Sequence, residues 1–431
     1  MPLAGYGAAL LGEEEIALVT RVLREKRPFR YYGPELKPFP SMAGQFEEEF
    51  AAMTGTPFAL GVTSGTAALE VALGALGVGP GDEVLLPAWS WVSCFTAVVH
   101  LGAKPVLAEI NSTLCLDPSE IDRLCTPRTK AVIVVHYQGA AAEMEEILAA
   151  ARRRGIAVLE DCAEAVGAGY RGQRVGSLGD IGTFSFQYNK TITSGEGGAI
   201  VTRDARLYER AVRMHDLGML RPDHAGKTHP QETMFSGTQF RMSEMTAAVA
   251  LAQLRKLESI REHCKKMSQI VREAVQEIPG VRLRRMADSA GESGIETYFW
   301  LSDAELTPRF SEFLKSRNVP LQRTTGTYCH YRREYCLSGL SHSDFSPFSG
   351  ERVWPASGYR PEDFPQTEAL VQHLFAIPVG CYYTEADARH IAASVRAATR
   401  ELFVASSVAG VQGRKRTSQE NGVPATTNGR A

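Results

Sequence analysis

Between residues 65 and 160 short apolar runs of strand type alternate with stretches of helical period, and that alternation leaves few folds open. The strand-like runs are 83–86, 105–110, 131–136 and 156–160, and the helical ones 65–76, 92–101, 117–125 and 141–154. Strands separated by helices do not pair as hairpins; they line up in parallel with the helices packed on the sheet faces. Two more strands are expected at 182–186 and 198–202. From Met242 to about Ile278 the apolar spacing becomes one long helical period, which stops at Pro279-Gly280. The expected fold class is therefore α/β, with a large domain built on a mainly parallel sheet and a smaller α+β domain. An N-terminal segment and the large domain are expected over 1–255, the small domain over 256–405, and a disordered Ser-, Gly-, Gln- and Asn-rich tail over 406–431.

Composition narrows the function classes. With 431 residues and 44% apolar content the chain can bury a large core, and a net charge of −2 makes no electrostatic case for nucleic acid or a membrane surface. Residues 84–103 lack Asp, Glu, Lys and Arg, but Pro87, two tryptophans, several hydroxyls and His100 point to a strand, an active-site loop and a buried helix rather than a membrane span. The first fifteen residues contain no Lys or Arg, which departs from the signal-peptide pattern. The eight cysteines show no CxxC spacing, and Cys94, Cys115 and Cys162 lie in apolar segments, so buried thiols in a reducing cytoplasm are expected. Gly77-Val-Gly-Pro-Gly81 is not the G-x-G-x-x-G of a dinucleotide-binding turn. His215, His224 and His229 lack the helical or hairpin spacing of metal ligands, so no metal is expected.

Four local patterns carry chemistry, each beside a plainer reading. Lys190 follows the strand-like Thr183-Phe-Ser-Phe186 and precedes the turn Gly195-Glu-Gly-Gly198, where a shielded amine can hold an aldehyde cofactor or be a solvated loop lysine. Asp161 closes the run at 156–160, at the strand edge where open α/β sheets bind ligands; it can pair with a protonated ring nitrogen or cap the next helix. Thr63-Ser-Gly-Thr66 opens an Ala/Leu-rich helix, which suits either a phosphate cradle or ordinary capping. Trp91 lies just past the run at 83–86 and can stack on a planar ring or fill the core.

Taken in order along nearly the whole chain, these segments resemble the DegT/DnrJ/EryC1/StrS sugar aminotransferases. The resemblance is carried by Thr63-Ser-Gly-Thr-Ala-Ala-Leu69, Pro87-Ala-Trp-Ser-Trp-Val-Ser93, Thr126-Pro-Arg-Thr-Lys-Ala131, Val135-His-Tyr-Gln-Gly139, Glu160-Asp161, Phe184-Ser-Phe186 with Lys190, Gly195-Glu-Gly-Gly198 and Phe240-Arg-Met-Ser-Glu-Met-Thr-Ala-Ala248. It implies a fold type I transferase dependent on pyridoxal 5'-phosphate, in which Lys190 carries the cofactor as a Schiff base and is the base for proton transfer. Asp161 would pair with the pyridinium, Trp91 would stack on the ring, and Gly65, Thr66 and Ser185 would hold the phosphate. It further implies a homodimer with shared sites, an amino-acid donor such as glutamate or glutamine, and a keto-sugar acceptor. A cofactor-binding sensor or scaffold without turnover is the alternative.

Two positions depart from the family pattern. Glu164 stands where the family usually has Gln or His beside the cofactor ring, and a carboxylate near an anionic phenolate must be protonated, turned away or compensated by a cation. Gly237-Thr-Gln-Phe-Arg241 carries Gln239 in place of the Asn that reaches the phosphate of the neighbouring subunit. For the acceptor, Ala108–Pro118, Phe29-Arg-Tyr31, Gly226-Lys227 with His229-Pro230, and Leu251–Leu257 are similar to the 8-amino-3,8-dideoxy-octulosonate branch, while nucleotide-linked keto-hexoses and keto-cyclitols stay open. Arg221, His224, Lys227 and His229 form a basic loop that either meets an anionic substrate or is solvated surface, and His330, Tyr331 and Tyr335 are substrate-loop or surface-packing residues.

Overall fold

The computed structural model describes residues 7–33, 40–228, 233–302, 306–323, 326, 328–334, 336 and 358–404. Helices α1 (Glu13–Arg24) and α2 (Met42–Thr54) precede β1 (Phe58–Val62) and α3 (Gly65–Ala75). Then come β2 (Glu83–Pro87), α4 (Ser93–His100), β3 (Lys104–Ala108), α5 (Ser119–Leu124), β4 (Thr129–Val135), α6 (Met144–Arg154) and β5 (Ala157–Asp161). A two-stranded hairpin, β6 (Gly169–Tyr170) with β7 (Gln173–Arg174), leads to β8 (Ile181–Ser185) and β9 (Gly198–Thr202).

The expected alternation is present, and its strands form a seven-stranded sheet in the order β1-β9-β8-β5-β4-β2-β3. Pairs β2–β3, β2–β4, β4–β5 and β5–β8 are parallel. Strand β9 runs antiparallel to both β8 and β1. Its direction follows from its connection, because the link from β8 holds a polar loop and no crossover helix. Strand β1 was not expected: Phe-Ala-Leu-Gly-Val is short, lies directly after α2 and lacks alternation, so its apolar run alone does not distinguish strand from helix.

Helices α7 (Ala205–His215) and α8 (Pro222–Ala225) lead to α9 (Glu244–Gln276), which runs unbroken through the 255/256 division expected from sequence. Its Leu251, Leu254 and Leu257 pack into the core of the large sheet, whereas Met267, Val271 and Val275 pack into a second core. That second core lies on an antiparallel sheet of β10 (Arg282–Leu283), β11 (Glu296–Trp300), β12 (Gln322–Arg323) and β13 (Leu374–Pro378), in the order β10-β11-β13-β12. One helix thus ties both cores together.

The period-two pattern of β8 does the work of positioning. Phe184 turns into an aromatic cluster with Phe50 at 4.9 Å, and Phe186 meets Phe46 at 5.4 Å. Ser185, between them in sequence, faces the other way. Burying each ring contributes about 1.5–3 kcal/mol, so the apolar side of β8 fixes the direction in which Ser185 points.

Candidate functional site

A cavity of about 430 Å³ opens at the carboxyl edge of the parallel strands. Ser64 and Gly65 follow β1, Trp91 follows β2, Val135 ends β4, Asp161 ends β5 and Ser185 ends β8; all six line it, together with Lys190 from the β8–β9 link.

One wall is the start of α3. Ser64 caps the helix by accepting a hydrogen bond from the Ala67 N–H at 3.0 Å, and Thr66 Oγ1 lies 2.8 Å from Ser93 Oγ. The N–H groups of Gly65 and Thr66, at the first two helical positions, have no intrahelical acceptor. Gly65 faces Ser185 so closely that an added Cβ would come within 2.7 Å of the serine Cβ. Small residues, free N–H groups and a helix N-terminus therefore leave an anion-sized recess, and the arrangement fits a phosphate.

The two tryptophans of the β2–α4 loop divide the readings given for Trp91. Trp89 fills the core against Tyr137 at 4.3 Å. Trp91 is half-exposed, lines the cavity and lies 6.1 Å from Tyr328, leaving an indole face open to a planar ligand. Asp161 is buried; its Oδ1 accepts the Ala163 N–H at 2.9 Å and its Oδ2 accepts the Cys94 S–H at 3.1 Å.

Lys190 Nζ lies 3.8 Å from Glu164 Oε1. Of the three possibilities for Glu164, the geometry favours compensation by a cation, because Glu164 lines the cavity with its Oε1 toward Lys190. Burial, and then the charge of Asp161, raises its pKa, while Lys190, the Gln138 N–H and Arg284 act in the opposite sense. Glu164 Oε2 is buried without a hydrogen-bond partner among the described residues. Behind it lies Glu296, whose pKa is pushed up to about 7 by burial, with the Glu164 charge adding to the rise.

Adjacent Glu160 has a different task. Its oxygens accept the N–H groups of Gly176, Leu178 and Gly179 at 2.6–2.8 Å, and His136 Nε2 lies 2.8 Å away. His136 Nδ1 accepts the Ala142 N–H, so the ring donates to Glu160 through Nε2. This buried group holds the loop before β8. Its proximity to Cys162 gives a possible metal-ligand trio, but both nitrogens of His136 are already engaged.

Several expected substrate residues take other places. His224 is buried, with Tyr208 Oη 2.7 Å from its Nδ1 and Tyr31 Oη 3.2 Å from its Nε2, so it forms no basic surface loop. Arg221 is held by Asp216 at 2.8 Å, Lys227 is exposed and outside the cavity, and His229 lies outside the described residues. His330 and Tyr331 are buried in the core rather than packed at the surface, and Tyr335 lies outside the described residues. Tyr328, in the same segment, is the residue that reaches the cavity. Gln239 is exposed, bridges Asp216 through its backbone and does not line the cavity of its own chain. Gln138 and Glu196, which lie within segments that carry the resemblance, also line the cavity, as does Ile295, which no local motif marks. Gln138 has a left-handed φ of 43°, a strained conformation for a non-glycine residue at a ligand site.

The model of the DegT/DnrJ/EryC1/StrS aminotransferase family matches residues 10–396. An L-glutamine:2-deoxy-scyllo-inosose aminotransferase of Streptoalloteichus tenebrarius is 44% identical over 243 residues, 55% of this chain and 57% of that protein. The spore coat polysaccharide biosynthesis protein SpsC of Bacillus subtilis is 37% identical over 282 residues, 64% of this chain and 70% of that one. The match thus spans little more than half the length of the first relative. The crystal structure of 3-amino-5-hydroxybenzoic acid synthase superposes with a TM-score of 0.74 at 28% identity, covering 90% of this chain and 96% of that one.

Proposed function

The chain belongs to the DegT/DnrJ/EryC1/StrS aminotransferase family, and we propose that it aminates the ketone of an uncharged polyhydroxylated ring, a keto-cyclitol, with glutamine as donor. The fold is that of the fold type I transferases that use pyridoxal 5'-phosphate. When bound, this cofactor supplies the aldehyde that receives the amino group and the ring that takes up the electrons of the breaking C–H bond. Lys190 holds it through Nζ and, when free, takes the proton from the donor α-carbon. The recess of Gly65, Thr66 and Ser185 would hold the phosphate, Asp161 would pair with the ring nitrogen, and Trp91 would stack on the ring.

The observation that carries the acceptor class is the charge of the cavity lining. Among the described residues Lys190 is its one cation, beside Asp161, Glu164 and Glu196, and the other polar side chains are neutral. Carboxylates, amides and hydroxyls suit ring hydroxyls, whereas an octulosonate carboxylate or a nucleotide diphosphate calls for cations. Among the described residues of the stretches similar to the octulosonate branch, none lines the cavity. The 44% identical relative is named for a keto-cyclitol and L-glutamine, in agreement with this reading.

Two chains would complete each site, with Gln239 reaching the phosphate held by its neighbour. Its exposure and its position outside its own cavity support this. Eight free cysteines favour a reducing cytoplasm, and among the described residues no helix is long and apolar enough to cross a membrane. The test is a panel of acceptors, a keto-cyclitol, a nucleotide-linked keto-hexose and a keto-octulosonate, each with glutamine or glutamate, and amine formation read by mass. Amination of the cyclitol alone is expected; preference for an anionic acceptor refutes the acceptor class, and binding of cofactor without turnover with any pair supports the sensor.

A further inference from the structure

Lys190 lies on a segment with little regular structure of its own. Residues 186–197, between β8 and β9, form neither strand nor helix, so no ladder of hydrogen bonds fixes their backbone. The loop ties its ends together, because Thr193 Oγ1 and the Ser194 N–H both donate to the Phe186 carbonyl at 2.9 Å. Lys190 sits in the span between those ties, its N–H donating to the Gln187 carbonyl at 2.9 Å.

The carbonyl of Lys190 is held from the far end of the chain. It accepts the Gly7 N–H at 2.9 Å, from the short helical turn Gly7–Leu10 that precedes α1. Gly7 is buried against the residues that follow the lysine: an added Cβ would come within 2.6 Å of the Thr191 carbonyl oxygen and 2.8 Å of Ile192 Cα. Both are backbone atoms and cannot swing aside as a side chain would. Beside Gly7, Gln253 of α9 accepts the Thr193 N–H on Oε1 at 3.3 Å and donates through Nε2 to Glu15 Oε1 at 2.9 Å. Glu15 also accepts the Gly12 N–H at 2.8 Å and the Lys256 ammonium at 2.8 and 2.9 Å, and Lys256 donates to the Leu10 carbonyl at 3.0 Å. Gln253 and Glu15 are both buried. Burial works against the charge of Glu15, but Lys256, Gln253 and the Gly12 N–H outweigh it and hold the pKa below its usual value, so this anchor is a carboxylate at neutral pH. The turn is thus pinned at both ends, by Gly7 to the lysine loop and by Leu10 and Glu15 to α9.

We propose that the N-terminal turn is a strap that fixes the backbone at Lys190 and so aims its amine into the cavity, with Gly7 and Gln253 as positioning residues. The proposal rests on the reading of Lys190 as the lysine that carries the cofactor. A lysine stem is flexible, so the place from which it springs decides where the amine reaches. Gly7 fixes that place through the carbonyl of Lys190 itself, and Gln253 fixes it three residues further on. Neither residue lines the cavity, so each acts only through the loop.

The test compares wild type, Gly7→Ala, Gln253→Met and, as control, Ala9→Ser, at an exposed position of the same turn. Three quantities are measured well below each protein's melting temperature. They are hydrogen–deuterium exchange of the peptide covering 186–197 without cofactor, the rate at which added pyridoxal phosphate forms the lysine-bound absorption band, and the affinity for pyridoxamine phosphate, which cannot bond to a lysine. Misplacing a reacting group by the order of 1 Å predicts a band-forming rate about 10- to 100-fold lower in Gly7→Ala. Exchange in the loop should be faster, and affinity for pyridoxamine phosphate unchanged. Gln253→Met should move the first two in the same direction by less, and it decides by the same criteria if Gly7→Ala does not fold. Ala9→Ser should move none of them. Exchange and rate as in wild type refute the strap. An equal loss of pyridoxamine phosphate binding also refutes it, since the whole site would then have been damaged, and so does an Ala9→Ser protein that behaves as Gly7→Ala. A wild-type protein that forms no band would instead refute the reading of Lys190 on which the strap rests.

Discussion

Replacing Glu296 by glutamine should make the protein less sensitive to alkaline pH, in an amount that follows from its surroundings. Glu296 opens β11 beside the cavity wall, and its Oε2 is buried without a hydrogen-bond partner among the described residues. Burial raises its pKa from 4.5 to about 7; the Tyr298 hydroxyl and Arg284 lower it, and the charge of Glu164 raises it further. A folded value above the unfolded one means that the group's contribution is fully present below the unfolded value and is lost as pH rises through the folded one. At about 1.4 kcal/mol per pH unit, the rise corresponds to roughly 3 kcal/mol. Glutamine copies the shape of the protonated acid and does not titrate. Urea denaturation of wild type and Glu296→Gln from mildly acidic to alkaline pH should therefore show a stability difference that grows by about 2–3 kcal/mol in favour of the variant. Parallel stability curves would refute the reasoning, and a difference growing in favour of wild type would mean that Glu296 is ionised and paired in the native state.

Further predictions concern the recess and the acid beside the lysine. Gly65→Ala places a methyl 2.7 Å from Ser185 Cβ and fills the anion site; a cofactor titration should show binding weaker by about 10-fold or more, and unchanged affinity would remove the phosphate from that recess. Glu164→Gln removes a half-buried acid that partial burial and Asp161 disfavour as a carboxylate, so cofactor retention through gel filtration should be preserved or improved, and a large loss would give the carboxyl a specific role. Glu47→Ala leaves Arg30 buried without its ion-pair partner and should lower stability by about 3–5 kcal/mol, measured by denaturation; a change below about 1 kcal/mol would contradict the account of that pair.

The sheet was legible because its parallel strands and crossover helices repeat a strong pattern, and the local ends of those strands located Asp161, Ser185 and the β8–β9 loop. Trp91 was harder, since Trp89 two residues earlier has the same neighbours in sequence and only packing decides which of them enters the core. Histidines misled for the same reason: His224 reads as a loop cation, but Tyr31 and Tyr208 enclose it from far along the chain. Glu296, Tyr328 and the Ser90–His330 contact had no local signature at all, because each depends on segments that meet only through the fold of the second sheet and its flanking loops. Sequence pattern reports what a residue does to its own element; it is nearly silent about a polar contact made across 240 positions.

The most direct measurement of the central assignment is the visible absorption of wild type and Lys190→Ala after addition of pyridoxal phosphate, before and after excess glutamine and, separately, glutamate. In wild type a band from the lysine-bound cofactor should form and bleach with glutamine, while Lys190→Ala should bind the cofactor without that band. A band that forms equally in Lys190→Ala would contradict the assignment of the lysine, and a wild-type band that neither donor bleaches would contradict amino transfer from these donors.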